Sequence, residues 1–541
     1  MRKTEKSWVK GAAILAAAGI FVRLIGILFR IPISNLVGSY GNGIFSNVFS
    51  IYSLLLMVST VGFPVAVSKM ISENVAIGDF RAVTNVFKVS LLTLFVLGGL
   101  SSLFLFFGAS WLIGVTNWPP ESIYAIQGIA FSPLIVAVCS VYRGYFQGFQ
   151  NMLPTAISQV IEQVVRIVLG VFLCWYCVVM LQNVSLGVGG AYLGTTISSL
   201  AACLLLIVWH FYFTRKHKTL LLKTSRKTPL SRKRILKRLV LIAVPVTLTS
   251  AMITFFSFAD AMMYVDRLAL AGFDSYTATA LMGDFSYADT FVNIPLSISA
   301  TFAAAMIPAI SESFALKDQA GINERINTAI RLVVLVALPC CIGLSVLSDG
   351  IFTLIFPGSE HGAAIMEVYA FATIFIMLSN TFQSILQSID RFIIPLIALL
   401  GASVVRIGCS YVFMAIPALN IYGVVLSTML TFIFLMVVNF LFIRRYTRVR
   451  LSYTSTLVKP FIASAIMGMS ALGCYNFLLP RTGNTVSVLA AIAVAAVIYF
   501  FLIIFFGILS EDELELLPGK RLLLPLMKKI QKLAPLKTVD N

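Results

Sequence analysis

The chain has 541 residues, 59% of them hydrophobic and 11% charged, with a formal net charge of +18. A soluble domain carries about 25% charged residues, and no segment between the apolar runs is long enough to fold alone, so soluble globular, disordered and disulfide-scaffold classes are excluded. The basic excess does not indicate nucleic acid: its one dense run, Arg215–Arg238, lies between two apolar spans with no domain around it.

Apolar stretches long enough to cross a ~30 Å hydrocarbon layer recur from end to end. Fourteen helical spans are predicted, at 11–33, 44–70, 86–110, 123–142, 157–180, 187–212, 239–263, 285–310, 328–350, 364–388, 393–415, 421–443, 457–479 and 485–509. The first is too long for the apolar core of a signal peptide, contains Arg23 and Arg30, and lacks a small-residue cleavage site, so it reads as a retained helix. Arg23 and Arg30 are two helical turns apart and share a face. Snorkelling toward the interface suits Arg30, near the outer edge, but not Arg23 at mid-span. Span two ends in Ile71-Ser72-Glu73, with Lys69 beside it; Lys69 and Arg143 sit at cytoplasmic span edges, where topology alone accounts for them. Span five carries Glu162 and Arg166, an i,i+4 pair able to neutralise itself within the helix. Asp260 lies late in span seven, a counter-charge or cation ligand as readily as a polar residue at a span mouth. Glu312 ends span eight, and Arg406 sits inside span eleven with Ala402, not an acid, four residues before it. All eight cysteines fall inside spans, so an extracytoplasmic disulfide is not expected, and Cys174-x-x-Cys177 reads as two small apolar residues.

The chain is internally duplicated. Ile71-Ser72-Glu73 returns as Ile310-Ser311-Glu312, and Ala76 and Asp79 return as Ala315 and Asp318. Gln147 precedes Arg166 by the same interval as Gln387 precedes Arg406, and both arginines sit in a Val-Arg-Ile string. Six spans per repeat leave both halves with one orientation, a parallel repeat. The expected organisation is a six-helix lobe over 1–212, a basic cytoplasmic linker over 213–238, a second six-helix lobe over 239–443, two extra transmembrane helices over 444–509 and a tail over 510–541 with an interfacial helix from Leu522 to Leu533. The fold class is thus an all-α integral membrane protein. With a cytoplasmic N-terminus, 34 of the 40 Lys and Arg lie in or beside cytoplasmic segments, as the positive-inside rule requires. Both termini are then cytoplasmic, and the 213–238 linker faces anionic lipid heads.

Prolines 32, 64, 133, 245, 295, 308 and 339 recur in the spans and kink them. The three histidines lie at span ends or in loops, and there is no metal-ligand cluster, Walker loop or nucleophile elbow. The chain is therefore expected not to be an enzyme, and to hold no metal and no cofactor, with Na⁺ or H⁺ coupling left open.

The opening Lys10-Gly11-Ala12 with Arg23-Leu24-Ile25-Gly26, then Gly62-Phe63-Pro64-Val65-Ala66-Val67-Ser68-Lys69 and Ile71-Ser72-Glu73, resembles the polysaccharide-biosynthesis branch of the multidrug/oligosaccharidyl-lipid/polysaccharide (MOP, MATE-like) exporter superfamily. Within it the chain is most similar to stage V sporulation protein B-like members and MurJ-type lipid II flippases. The resemblance covers nearly the whole chain, and it implies a bacterial plasma-membrane flippase for an undecaprenyl-diphosphate-linked sugar, first of all the peptidoglycan precursor lipid II. It also implies arginines lining a central cavity, with Arg23 and Arg30 as the best matches, a lipid-tail groove on spans thirteen and fourteen, and cell-wall synthesis proteins as partners. Arg166 and Arg406 join Arg23 and Arg30 as candidate diphosphate ligands, Asp260 and Glu162 are candidate ion or counter-charge sites, and Glu73 and Glu312 are candidate cytoplasmic gate residues. A monomer suffices, since the duplication supplies both halves of a pathway. The alternatives are a flippase for a teichoic or capsular lipid-linked oligosaccharide and, against the arginine excess, a multidrug–cation antiporter.

Overall fold

The computed structural model describes the backbone of residues 2–57, 62–216, 231–449 and 454–508. Side chains are described within these except at 2–25, 27–28, 245–246, 248–250, 252–253, 297–309 and 455. The expected tail helix and most of the basic linker lie outside the described residues, as does the side chain of Arg23.

Every regular element among the described residues is helical. α1 (Arg2–Met57) is one run broken at Gly38, where φ is 66° and ψ is −173°, a conformation only glycine takes without strain. The break falls between predicted spans one and two. There follow α2 (Phe63–Ala76), α3 (Phe80–Phe107), α4 (Ala109–Thr116), α5 (Ser122–Ile129), α6 (Ser132–Gly148), and α7 (Leu153–Trp175) with a π-helical turn at Tyr176–Met180. Then come α8 (Val184–Lys216), α9 (Arg232–Leu270), α10 (Ser275–Ala315), α11 (Gln319–Val346), α12 (Ser348–Ile355), α13 (Gly362–Tyr369), α14 (Ala372–Ser388), α15 (Ile393–Phe413), α16 (Tyr422–Thr447) and, after a second π turn at Thr454–Val458, α17 (Lys459–Phe505). Among the described residues eight helical segments are long and apolar enough to cross a membrane, or nine with α13 and α14, which meet at 45°. One of the eight, Thr456–Phe505, holds predicted spans thirteen and fourteen. It folds back at Gly483, where φ is 76° and ψ is 171°.

The chain divides into two compact units, Met1–Gly283 and Asp284–Asn541, with the division inside α10. In the first unit α9 packs against α1, α2 and α3. The duplication is visible in the helix boundaries of the two units. α3 and α11 start 239 residues apart, as do α4 and α12; α6 and α14, and α7 and α15, start 240 apart. The caps repeat too: the Asp79 carboxylate accepts from the Ala82 amide at the start of α3, and that of Asp318 accepts from the Gly321 amide at the start of α11. Packing partners repeat inside each unit, α3 on α6 and α7 on α8 in the first, α11 on α14 and α15 on α16 in the second.

Each unit has its own apolar core. In the first, Val67, Met70, Val83, Leu94, Phe146 and Leu206 are fully enclosed. In the second, Ile326, Val334, Met377 and Leu386 play this part, and Leu332 and Leu335 of α11 also pack on Ala463 and Ile503 of α17. Large apolar side chains also point outward, such as Leu92 and Phe107 of α3, Val168 and Phe172 of α7 and Val404 of α15. So much apolar surface is costly in water and is the natural face toward lipid tails. The chain is a multi-pass membrane protein.

Candidate functional site

α7 sorts its residues by helical period. Val164, Val168 and Phe172 form an exposed apolar stripe, while Glu162 and Arg166, one turn apart, project from the opposite side toward the helices that α7 packs on, α1 and α8. The i,i+4 pair expected from the sequence forms, with Arg166 Nη2 2.9 Å from Glu162 Oε1. Its second partner was not legible. Arg143, which topology alone accounts for in the sequence, reaches across from α6 and places Nη2 2.8 Å from Glu162 Oε2. Arg143 Nε also donates to Ser158 Oγ at 3.1 Å, and Ser199 on α8 donates to Glu162 Oε1 at 3.4 Å. One carboxylate therefore holds two guanidinium groups, and the three side chains keep 16%, 13% and 22% of their surface exposed for Arg143, Glu162 and Arg166. Arg166 Nε is enclosed and makes no hydrogen bond.

α1 and α8 carry further polar groups. The Tyr52 hydroxyl of α1 pairs with Ser132 Oγ at 2.8 Å and lies within electrostatic range of both Arg166 and Glu162. Arg30, half-buried on α1, acts in the same way on Tyr192, whose hydroxyl donates to the Phe45 carbonyl. α1, α6 and α7 pack on one another, and their described side chains include three arginines, Arg30, Arg143 and Arg166, and one carboxylate, Glu162. The region is thus a cation-rich interior within the membrane-spanning part of the first unit. An isolated ion there would cost ~3 kcal/mol or more, and the shared Glu162 carboxylate offsets part of that cost for Arg143 and Arg166.

The other predicted residues have the following neighbours. Asp260 is fully buried on α9, in a stretch where the neighbouring Ala261 carbonyl accepts from Trp118 Nε1 at 2.8 Å. Arg406 belongs to the second unit, 5% exposed, and donates to Thr428 Oγ1 on α16. Glu73 pairs with Arg238 at the start of α9 at 2.8 Å. Glu312 pairs with Arg325 on α11 at 3.1 Å. Both pairs are exposed and close within one unit. The eight cysteines are free thiols.

Sequence reasoning passed over two acids of the second unit. Asp284, 1% exposed, accepts from Ser359 Oγ at 2.7 Å and from the His361 amide at 3.1 Å. Asp289 accepts from the Tyr369 hydroxyl at 2.9 Å and from Asn293 Nδ2 at 2.8 Å. The available signal was their position at and inside predicted span eight, where an acid is expensive.

With this architecture in place, the chain can be set beside known proteins. It is 28% identical over 527 residues to stage V sporulation protein B of Bacillus subtilis (strain 168), covering 95% of this chain and 98% of the relative. It is 26% identical over 538 residues to the lipid II flippase MurJ of the same organism, covering 94% and 97%. The solved structure of a lipid II flippase MurJ in an inward closed conformation superposes with a TM-score of 0.67 at 15% identity, over 91% of this chain and 99% of that one; at that identity the likeness is one of fold. The family model described as polysaccharide biosynthesis protein matches residues 8–314, more than half of the chain and all of the cation-rich cluster. On that match, with full-length relatives and a shared helical fold beside it, the chain belongs to the polysaccharide biosynthesis protein family.

Proposed function

We propose that this protein is a flippase that carries an undecaprenyl-diphosphate-linked peptidoglycan precursor, lipid II, from the inner to the outer leaflet by alternating access. The observation that carries the reading is the arginine surplus on α1, α6 and α7, in a chain whose relatives of near-equal length include a lipid II flippase. A diphosphate is a compact dianion. Arginine meets it with planar, multidentate donors that keep their charge when desolvated, which lysine does less well. The same surplus disfavours export of cationic drugs, which it would repel. Arg23, Arg30, Arg166 and Arg406 are the proposed ligands of the diphosphate, with Asp260 and Glu162 as counter-charges.

The proposed setting is the bacterial plasma membrane, with both termini cytoplasmic and residues 213–238 against anionic lipid heads. A single chain carries the pathway, and cell-wall synthesis proteins are its proposed neighbours. With the inside negative, an anion moving outward runs downhill, at ~2.3 kcal/mol per charge per 100 mV for a full crossing. The membrane potential, or a Na⁺ or H⁺ gradient, resets the carrier. A second reading, a flippase for another lipid-linked glycan, rests on the relative named as a sporulation protein, since every diphosphate-linked lipid presents the same anion.

The test is rescue of a bacterium depleted of its own lipid II flippase, with wild type, Arg23→Ala and Arg30→Ala at matched membrane levels. Wild type is expected to restore growth, and both variants to fall short of it by about tenfold or more in plating efficiency, the loss of one charge-assisted contact to the diphosphate. Rescue by all three would keep the substrate and remove these arginines from the mechanism. No rescue by correctly inserted wild type moves the assignment to another lipid-linked glycan.

A further inference from the structure

Glu162 sits where a bound anion would sit. Its two carboxylate oxygens are divided between Arg143 Nη2 at 2.8 Å and Arg166 Nη2 at 2.9 Å, the geometry a bridging phosphate oxygen pair would adopt with two guanidinium groups. Arg143 is fixed a second time by Ser158. Arg166 has no such second anchor from that serine, its Nε is enclosed without a hydrogen bond, and it is the more exposed of the two arginines. The repeat shows that the helix position does not itself demand an acid: at the equivalent place in the second unit, Arg406 is preceded by Ala402 and donates to a hydroxyl. We propose that Glu162 is a built-in competitor for the transported anion: it holds Arg166 in the empty carrier, Arg143 anchors it, and a diphosphate displaces it from Arg166 on binding.

The inference rests on the flippase reading for the identity of the anion and deepens it. A tethered carboxylate limits how tightly the diphosphate binds, which a carrier needs, because a site built only of cations would bind the dianion and not release it. When the anion leaves, the carboxylate returns to Arg166, so that the guanidinium is never left uncompensated in the membrane. Glu162 is thus a positioning residue that acts through Arg166. A purely structural salt bridge makes the opposite prediction for binding, since its removal would loosen the site and weaken any ligand.

The test is binding of inorganic pyrophosphate and of farnesyl diphosphate to the purified full-length protein in nanodiscs, for wild type, E162Q, R143Q/E162Q and E162Q/R166Q. The R143Q/E162Q variant keeps the net charge of the cluster and releases Arg166, so a gain there is not a net-charge effect. E162Q and R143Q/E162Q are expected to bind farnesyl diphosphate about tenfold more tightly than wild type, and E162Q/R166Q to lose that gain. A matching gain for pyrophosphate assigns it to the diphosphate alone; a gain for farnesyl diphosphate only assigns it to the lipid-linked form. No gain in R143Q/E162Q, a gain that survives in E162Q/R166Q, or failure of R143Q/E162Q to fold would each overturn the inference. Tightened pyrophosphate binding in a protein whose wild type fails the lipid II rescue would leave Glu162 its role and remove the lipid II assignment.

Discussion

Arg166 and Arg406 occupy equivalent positions of the duplication and have different neighbours: Arg166 pairs with a carboxylate on its own helix, and Arg406 donates to the Thr428 hydroxyl on the facing helix. Thr428 also donates to the Val424 carbonyl, and Thr195, which follows Gly190 by five residues as Thr428 follows Gly423, donates to the Ala191 carbonyl of its own helix at 3.1 Å. Replacing Thr428 by Val removes an acceptor from a buried cation as well as a helix back-bond. It is expected to destabilise the protein by about 1.5–3 kcal/mol, against ~0.5–1 for Thr195→Val, read as thermal unfolding midpoints of the two variants in one detergent. Equal shifts would show that Arg406 draws nothing from Thr428. The Glu162–Arg166 pair was legible because both partners lie on one helix, where spacing alone sets distance. Arg143 was not, because its approach depends on how α6 turns into α7, and its place at a span edge already had an adequate explanation. For Arg406, the alanine at 402 announces that partners must come from elsewhere; only the packing of α15 on α16 shows that Thr428 is one of them.

At the scale of elements, the duplication was legible in the sequence to within a residue, and the caps explain why. Asp79 and Asp318 each accept an amide in the first turn of the following helix, a task short acidic side chains perform well and few others do, so the residue survives in both halves while its surroundings change. Asp79→Ala and Asp318→Ala are each expected to cost about 1 kcal/mol. Each cap is satisfied inside its own unit, so the double variant is expected to show the sum. Hydrogen exchange at the first turns of α3 and α11 would localise the loss; unchanged protection at both would refute the capping role. The breaks within spans were less legible. The sequence reads 364–388 as one continuous span, whereas the structure breaks it into α13 and α14, which meet at 45°. Hydropathy is blind to such a bend because the residues on both sides of it are apolar. The hairpin of the last two spans is the opposite case. Arg481 to Asn484 interrupt the apolar run, Gly483 supplies the turn, Asn484 Nδ2 ties it to the Gly350 carbonyl at 3.0 Å, and Lys459 Nζ reaches the Phe506 carbonyl at 3.0 Å at the far end.

For the whole molecule, charge placement and the proposed cycle bear on one another. In the proposed orientation, with the N-terminus cytoplasmic, the basic residues concentrate on the cytoplasmic side and α1 runs outward from its N-terminus. The described side chains of α1, α6 and α7 carry three guanidinium groups and one carboxylate, and two of the three, Arg143 and Arg166, pair with that carboxylate. A bound diphosphate nearly cancels that surplus, so the loaded carrier crosses the field with little net charge, and the empty carrier returns with the surplus exposed to it. The potential then acts mainly on the return step, and an inside-negative potential pulls the empty, positive interior back toward the cytoplasm. A charge that crosses the whole field gains ~2.3 kcal/mol per 100 mV, and a rocking movement that carries it through part of the field gains a share of that. In proteoliposomes sorted for one orientation, a potential of about 100 mV, negative on the cytoplasmic side, is expected to raise the rate of multiple-turnover flipping several-fold over zero potential. A single turnover starting from loaded carrier is expected to respond much less. The reverse pattern, a loaded step that depends on potential and a return that does not, would place the moving charge on the substrate instead of on the arginines. A rate indifferent to potential and to Na⁺ and H⁺ gradients alike would leave the concentration gradient of the lipid as the driving force, and would sink the electrical account of the reset.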